Sequence, residues 1–315
     1  MRRRGQAAKS GPTLARRVLR LLAALGVTVG DVFPGTVVLS RRKDLRIRQV
    51  PDGVVVSRAG RVQVEPLGSQ AALVVTSRGP GLRDRTAEKH LYAHLLTQHL
   101  THVFDLYGVN CVIDVGANRG QFGQGLRRAG YTGRIVSFEP VPEVAARLRK
   151  AAERDGDWVV HQIALGREDG STELNVVPGT MSSPLPATAF GARRYAQLRE
   201  PVVHRVPIRR LDGMLSSVLA GIEDPRPFLK LDTQGFDLEV FAGLGERVAD
   251  VVAMQSEVAL VTIYEGMPRL PQALEAYEGA GFEVTGFYPV SRERATARVL
   301  EFDCVLVRPG ARAAP

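Results

Sequence analysis

Residues 111–120 read Cys111-Val112-Ile113-Asp114-Val115-Gly116-Ala117-Asn118-Arg119-Gly120. Cys111 to Asp114 are dominated by strand formers, and such a run fits a strand of a parallel sheet buried on both faces. Val115 to Gly120 read as a tight turn that opens a helix. A strand that ends in a glycine turn before a helix makes a nucleotide cradle. Glycine has no Cβ, so the backbone can approach a ligand closely. The start of the helix adds unpaired N–H groups.

The spacing differs from the dinucleotide fingerprint, Gly-x-Gly-x-x-Gly, which seats a pyrophosphate on the helix start. Here the pattern is Asp114-x-Gly116-x-x-x-Gly120, with an acid where a phosphate would be repelled. It suits a ligand whose amino-acid end carries an ammonium, and S-adenosylmethionine is such a ligand. On this reading Gly116 and Gly120 line its methionine part. Asp114 supports the ammonium directly or through water. Glu139 ends the next strand, Ile135 to Glu139, where an acid can accept hydrogen bonds from both ribose hydroxyls.

The chain has 315 residues, 44% of them apolar, enough for one large domain or two small ones with a packed core. Its two cysteines, Cys111 and Cys304, both fall in expected buried strands. That argues against a disulfide framework and for a reducing, cytoplasmic compartment. His90 and His94 stand four apart on an expected helix, a metal-like spacing, but no His-Glu-x-x-His pattern accompanies them, and no metal is expected.

The net charge of +9 is unevenly spread. Residues 1–110 hold 18 Lys and Arg against 7 Asp and Glu, or +11; the remainder holds 24 against 26, or −2. The basic character therefore belongs to the N-terminal third. A near-neutral remainder argues against a nucleic-acid groove built into it.

Residues 1–30 read as a basic tail followed by an amphipathic helix over 13–26, with Leu14, Val18, Leu21, Leu22 and Leu25 at helical spacing and Arg16, Arg17 and Arg20 between them. The apolar stretch is too short to span a membrane. Arg16-Arg17 is similar to an export signal, but no Ala-x-Ala cleavage site follows. The helix suits an anionic membrane surface, a partner, or packing on its own domain. Residues 31–80 alternate like a small antiparallel β-rich region and end at Gly79-Pro80-Gly81. Residues 81–310 form the main domain. It opens with a helix over 86–107 that carries Leu91, Leu95, Val103 and Leu106.

From Asn110 onward strands and helices alternate, which predicts an α/β fold with a doubly wound, mostly parallel sheet. Strands are expected over 158–165, 228–232 and 251–257, and a terminal hairpin over 283–288 and 302–307 makes the last strand antiparallel. Gly123 and Gly125 in the helix over 119–129 permit close approach to the sheet or to a ligand. Residues 166–215 break the alternation with two extra strands, 171–177 and 202–208. Between them lies Pro178-Gly179-Thr180-Met181-Ser182-Ser183-Pro184. An insertion at that end of a sheet serves as a lid, a substrate wall or a plain surface excursion.

Val112-Ile113-Asp114-Val115-Gly116-Ala117-Asn118-Arg119-Gly120-Gln121, then Ser137-Phe138-Glu139-Pro140, then Phe228-Leu229-Lys230-Leu231-Asp232-Thr233-Gln234-Gly235, resembles the FkbM family of S-adenosylmethionine-dependent methyltransferases. Ala164-Leu165-Gly166, Met181-Ser182-Ser183 and Gln255-x-Glu257 also look like family features, so the resemblance runs from about 110 to 307. It implies a Rossmann-like class I methyltransferase sheet and O-methylation of a hydroxyl on a sugar, lipid-linked glycan or polyketide-type product. It also implies cofactor contacts at Asp114, Gly116, Asn118, Gly120, Glu139, Pro140, Ala164 and Leu165. The acceptor would lie near Ser182, Ser183, Gln234 and Tyr264.

Lys230 and Asp232 share one face of a strand that should be buried on both sides. A buried lysine is costly unless paired, and Glu257 on the adjacent strand is a natural third member. Asp232 is the expected catalytic base, with Lys230 and Glu257 assisting; Glu257 either holds Lys230 or takes the base role itself. Two rival readings use the same residues. One is an RNA ribose 2′-O-methyltransferase, against which stand an aromatic content of 6% and the lack of a recognised RNA module. The other is a cofactor-binding scaffold without catalysis.

Overall fold

The computed structural model describes residues 28–33, 36–40, 45–50, 53–58, 62–66, 72–76, 85–293 and 295–313. The amphipathic segment 13–26, the break at Gly79 to Gly81 and the side chain of His90 lie outside these. The chain divides into two units, Met1–Glu88 and Lys89–Pro315.

The first unit holds three antiparallel hairpins: β1 (Thr28–Phe33) with β2 (Thr36–Ser40), β3 (Leu45–Val50) with β4 (Gly53–Arg58), and β5 (Val62–Pro66) with β6 (Ala72–Thr76). Helix α1 (Arg85–Tyr107) follows. Leu96, Leu100, Val103, Phe104 and Tyr107 make its buried stripe, whereas Leu95 and Leu106 lie on the exposed side. Among the described residues no helix is long and apolar enough to cross a membrane.

In the second unit β7 (Cys111–Val115), α2 (Gln121–Arg128), β8 (Arg134–Phe138), α3 (Pro142–Ala152) and β9 (Trp158–His161) build one half of a sheet. After β10 (Ala164–Leu165), β11 (Gly170–Val176), α4 (Ala189–Arg194), β12 (Val202–Arg209) and α5 (Asp212–Val218), the other half follows. It consists of β13 (Pro227–Leu231), α6 (Asp237–Ala242), β14 (Ala253–Ala259), α7 (Leu270–Gly279), β15 (Glu283–Arg292) and β16 (Val299–Val307). The strand order is β15-β16-β14-β13-β7-β8-β9. Strands β7, β8, β9, β13 and β14 are parallel, and β16 is antiparallel to both its neighbours. This is the expected doubly wound sheet with an antiparallel last strand. Because β8 and β13 flank β7, the winding reverses there, and a crevice opens at the carboxyl ends of the strands.

Alternate residues on each strand supply two cores. Ile113, Val115, Leu229, Leu231, Met254 and Tyr277 pack on one face. Val112, Phe228, Ala253 and Val305 pack with Leu100 and Phe104 of α1 on the other. Cys111 and Cys304 are buried and free.

The single strand expected over 158–165 is corrected to two. β8 ends at Phe138, and its ladder closes with the Glu139 N–H donating to the His161 carbonyl at 3.1 Å. Beyond that point the chain has no partner in the main sheet. Ala164 and Leu165 pair instead with Ile208 and Arg209 of β12, which also pairs with β11. The two extra strands thus form a small second sheet, β10-β12-β11, beside the crevice.

Candidate active site

A cleft of about 620 Å³, its open mouth included, lies at the switch point. Its apolar lining is Phe138, Pro140, Val141, Val144, Ile163, Ala164, Leu165, Leu174 and Phe236. Its polar lining includes Asn118, Glu139, Thr180, Ser182, Asp232, Thr233 and Gln234, with the Gly116 backbone beside them.

Gly116 is dictated by a close approach. Its φ is +74°, and a Cβ placed on it would stand 2.0 Å from the Asp232 carbonyl oxygen. No other residue lets the ends of β7 and β13 come so near. The N–H groups of Gly116 and Ala117 both donate to the Phe138 carbonyl at 3.1 Å, which ties the turn to β8. Asn118, at φ +49°, turns the chain into α2, and its Nδ2 donates to the Gly179 carbonyl at 3.1 Å. The insertion is thereby latched to the turn.

Gly120, expected at the ligand, has a packing reason of its own. It is not in the lining, and its missing Cβ would meet Leu148 at 2.9 Å and Trp158 at 3.2 Å. Gly123 has the same reason, since a Cβ there would lie 2.4 Å from the Trp158 ring. Both glycines seat α2 on the sheet. Gly125 meets nothing closer than Arg128 at 3.9 Å.

Glu139 is 5% exposed. Its Oε2 accepts the Asn118 N–H at 3.0 Å and its Oε1 the Val141 N–H at 2.9 Å. Burial pushes its carboxyl up, to about 7, against those two N–H groups, which favour the charged form. Each oxygen keeps a further lone pair for a ligand hydroxyl.

Asp114 does not line the cleft. It is fully buried, and its Oδ1 lies 3.2 Å from Lys230 Nζ. Of the two expected ways of supporting a ligand ammonium, directly or through water, this burial closes the direct one. The reason is strand order: β13 lies beside β7 in a register that pairs Lys230 with Asp114. Lys230 also reaches Asp232 Oδ2 at 3.2 Å. Burial opposes its charge, but the carboxylates of Asp232 and Asp114 outweigh burial and hold its pKa above the ordinary lysine value. Burial raises the Asp114 pKa, and Lys230 opposes that rise. On its other side Asp114 meets Ser137, which accepts from Trp158 Nε1 at 3.0 Å.

Glu257 makes no ion pair with Lys230, a further correction; Asp114 takes that place. Glu257 joins Asp232 through Gln234, whose Nε2 donates to Asp232 Oδ1 at 3.0 Å and to Glu257 Oε2 at 3.1 Å. Gln234 stands at φ +56°, so the turn after β13 aims it back across the strand ends. Its Oε1 lies 3.1 Å from the Tyr264 hydroxyl, which also donates to the Met181 carbonyl at 2.9 Å. Tyr264 and Ser183 are buried outside the lining, and the Ser183 hydroxyl donates to the Gln234 carbonyl at 2.7 Å. Both hold Gln234, and neither of these two expected acceptor residues is in the lining. Ser182 lines the cleft, although its hydroxyl also accepts the Val177 N–H at 3.1 Å.

Sequence reasoning passed over Glu301. It lies on β16, 5% exposed, and accepts from the Ser291 hydroxyl at 3.1 Å. Burial and the charges of Asp232 and Asp303 push it up to about 7, against that hydroxyl. Burial, then Glu301 and Asp232, raise Glu257 well above the usual carboxylate range. The available signal was two acids, Glu301 and Asp303, alternating within the otherwise apolar run from Val299 to Val307. Among the described residues no group of three or more His, Cys, Asp and Glu is arranged to hold a metal ion.

Strand order and cleft together define a Rossmann-like class I methyltransferase fold. The model of the "Methyltransferase FkbM domain" matches residues 114–284, and the chain belongs to that family. It is also similar to "Methyltransferase 1" of Beauveria bassiana (strain ARSEF 2860), 25% identical over 190 residues, which cover 55% of this chain and 72% of the relative. Two solved structures resemble it more distantly. Magnesium protoporphyrin IX methyltransferase from Synechocystis PCC 6803 with bound SAM is 11% identical, with 73% of this chain and 86% of that one covered at a TM-score of 0.40. Aeropyrum pernix fibrillarin in complex with S-adenosyl-L-methionine is 12% identical, with 82% and 99% covered at 0.37. The fold assignment rests on the strand order of this chain, not on those two likenesses.

Proposed function

We propose that the chain is an S-adenosylmethionine-dependent O-methyltransferase acting on a hydroxyl of a sugar, a glycolipid or a polyketide-type natural product. The observation that supports it is Asp232. This carboxylate lines the cleft, keeps 39% of its side chain exposed, and has each oxygen fixed, one by Lys230 and one by Gln234.

The residues present fit the cofactor. The apolar side chains of the lining suit a purine ring, Glu139 suits the ribose hydroxyls, and Gly116 and Asn118 suit the amino-acid part. When bound, the cofactor supplies an electrophilic methyl group. The remaining work falls to the chain. An alcohol is a poor nucleophile until its proton begins to leave, and Asp232 accepts that proton as the oxygen attacks. A positioned base of this kind contributes roughly 10²–10⁴ in rate. Lys230, anchored by Asp114, and Gln234, anchored by Tyr264, keep the carboxylate from swinging away, and such positioning lowers the barrier further.

An RNA acceptor is disfavoured, because Asp232, Glu257 and Glu301 would repel a phosphate backbone. A membrane-borne acceptor would give the basic segment 13–26 a role, since each basic residue near an anionic surface contributes about 1 kcal/mol. Co-sedimentation with anionic vesicles at low salt, lost on deleting residues 1–30, tests that role; no co-sedimentation of the full chain contradicts it. The acceptor test is mass spectrometry of small molecules and glycolipids from cells with and without the protein. The expected difference is one methyl ether; a methyl group found on nitrogen or carbon contradicts the reading.

A further inference from the structure

Beside Asp232 the sheet carries more negative charge than the proposed proton transfer needs. The register of β14 with β16 sets Glu257 opposite Asp303 and Ala259 opposite Glu301, so Glu257, Glu301 and Asp303 share one face. The register of β13 with β14 sets Lys230 opposite Gln255, which brings Lys230 to that same face. Lys230 is already held by Asp114 and Asp232. Among the described residues Glu257 receives an amide N–H from Gln234 and Glu301 the Ser291 hydroxyl, and neither forms an ion pair. Among the described residues Glu301 Oε1 has no hydrogen-bond partner, in a residue that is 5% exposed. Enclosed carboxylate oxygens are nearly always satisfied, because leaving one bare is costly. Glu257, its diagonal neighbour across the ladder, is only half-buried.

We infer that the acceptor carries a protonated amine, and that Glu257, with Glu301 behind it, receives this ammonium while Asp232 faces the hydroxyl. The inference rests on the O-methyltransferase reading and names the substrate class for it: an amino alcohol such as an amino sugar. Chemistry favours a cation over another hydroxyl. An ammonium offers three donors and a full charge, enough to serve Glu301 Oε1 and Glu257 together. A neutral hydroxyl brings no counter-charge, and it would leave both carboxyls in the surroundings that raise their pKa in the free chain. The pairing also explains how a methyl group reaches oxygen when an amine is near. Held by carboxylates the nitrogen stays protonated and has no lone pair, whereas the hydroxyl beside Asp232 is being activated.

The test uses the full chain with glutamate carboxyl carbons labelled for NMR. Calorimetry first asks whether S-adenosylhomocysteine binds; if it does not, the cofactor reading fails irrespective of the amine. The complex is then titrated with glucosamine and ethanolamine and, in parallel, with their N-acetyl forms. The Glu257 and Glu301 resonances are expected to move with the amines and to respond at least tenfold more weakly to the N-acetyl forms. Glu301→Gln and Glu257→Gln should each weaken the amine response about tenfold, with calorimetry on each variant checking that the fold is intact. Equal responses to amine and N-acetyl forms, or no response to either amine, would overturn the inference.

Discussion

The cleft and the acidic face meet at Asp232 and are built by opposite means. In the cleft, Glu139 has both oxygens bonded to backbone N–H groups, and Asn118 is latched to Gly179. Behind Asp232, the fully buried Asp114 is matched by Lys230. On the far side, among the described residues, Glu257 and Glu301 form no ion pair, and Glu301 Oε1 has no hydrogen-bond partner. The first region is preorganised by the chain. The second is complete only when something positive enters it. Deleting a charge should therefore have opposite consequences on the two sides.

The largest difference is expected from Lys230→Met and Glu301→Gln. Losing Lys230 strands Asp114 in the core, and breaking a buried pair costs about 3–5 kcal/mol. Glu301→Gln removes one of two repelling acids and should leave stability unchanged or raised. Urea unfolding reads both; a Lys230→Met variant as stable as the parent would show that the pair does not hold the site. Next in size is a pH effect. Glu139 and Glu301 both titrate near 7 when folded, above their ordinary value of 4.5. A raised folded pKa means that these groups favour the fold most below 4.5, and that this support is lost as pH rises through about 7. The loss is up to about 3 kcal/mol per group. Thermal midpoints without ligand should fall between pH 5 and pH 8, and fall less in Glu301→Gln. Equal slopes would contradict the carboxyl assignment.

Smaller effects belong to the cleft side. Gly123→Ala drives a methyl group into Trp158 and should cost about 1–3 kcal/mol in urea unfolding; no loss would mean that α2 can shift freely. Glu139→Ala should weaken S-adenosylmethionine binding about tenfold by calorimetry, about 1.4 kcal/mol. Unchanged affinity in a folded variant would remove Glu139 from the site.

What the sequence discloses follows the same division. The strand, turn and helix around Asp114, the acid closing β8 and the antiparallel end of the sheet are local patterns, written in consecutive residues. The partners of Asp114 and Glu301 are not local. Asp114 meets Lys230 only because β13 inserts beside β7, and Glu301 nears Glu257 only because β16 inserts between β14 and β15. A motif read along the chain gives Asp114 to the ligand; the sheet gives it to Lys230. Gly120 and Gly123 likewise look like ligand glycines until Trp158 arrives from β9. Gln234 could be named as a site residue, but its bridging of two carboxylates depends on a turn with positive φ that no spacing rule predicts.

That Asp232 takes the acceptor's proton is the claim on which both sides depend. Its most direct test is kcat of Asp232→Asn, measured with the acceptor found by mass spectrometry. The substitution keeps the shape of the side chain and removes its basicity. The expected result is a loss of about a hundredfold in kcat with cofactor affinity intact. A near-normal kcat in that variant would contradict the account and pass the role of base to Glu257.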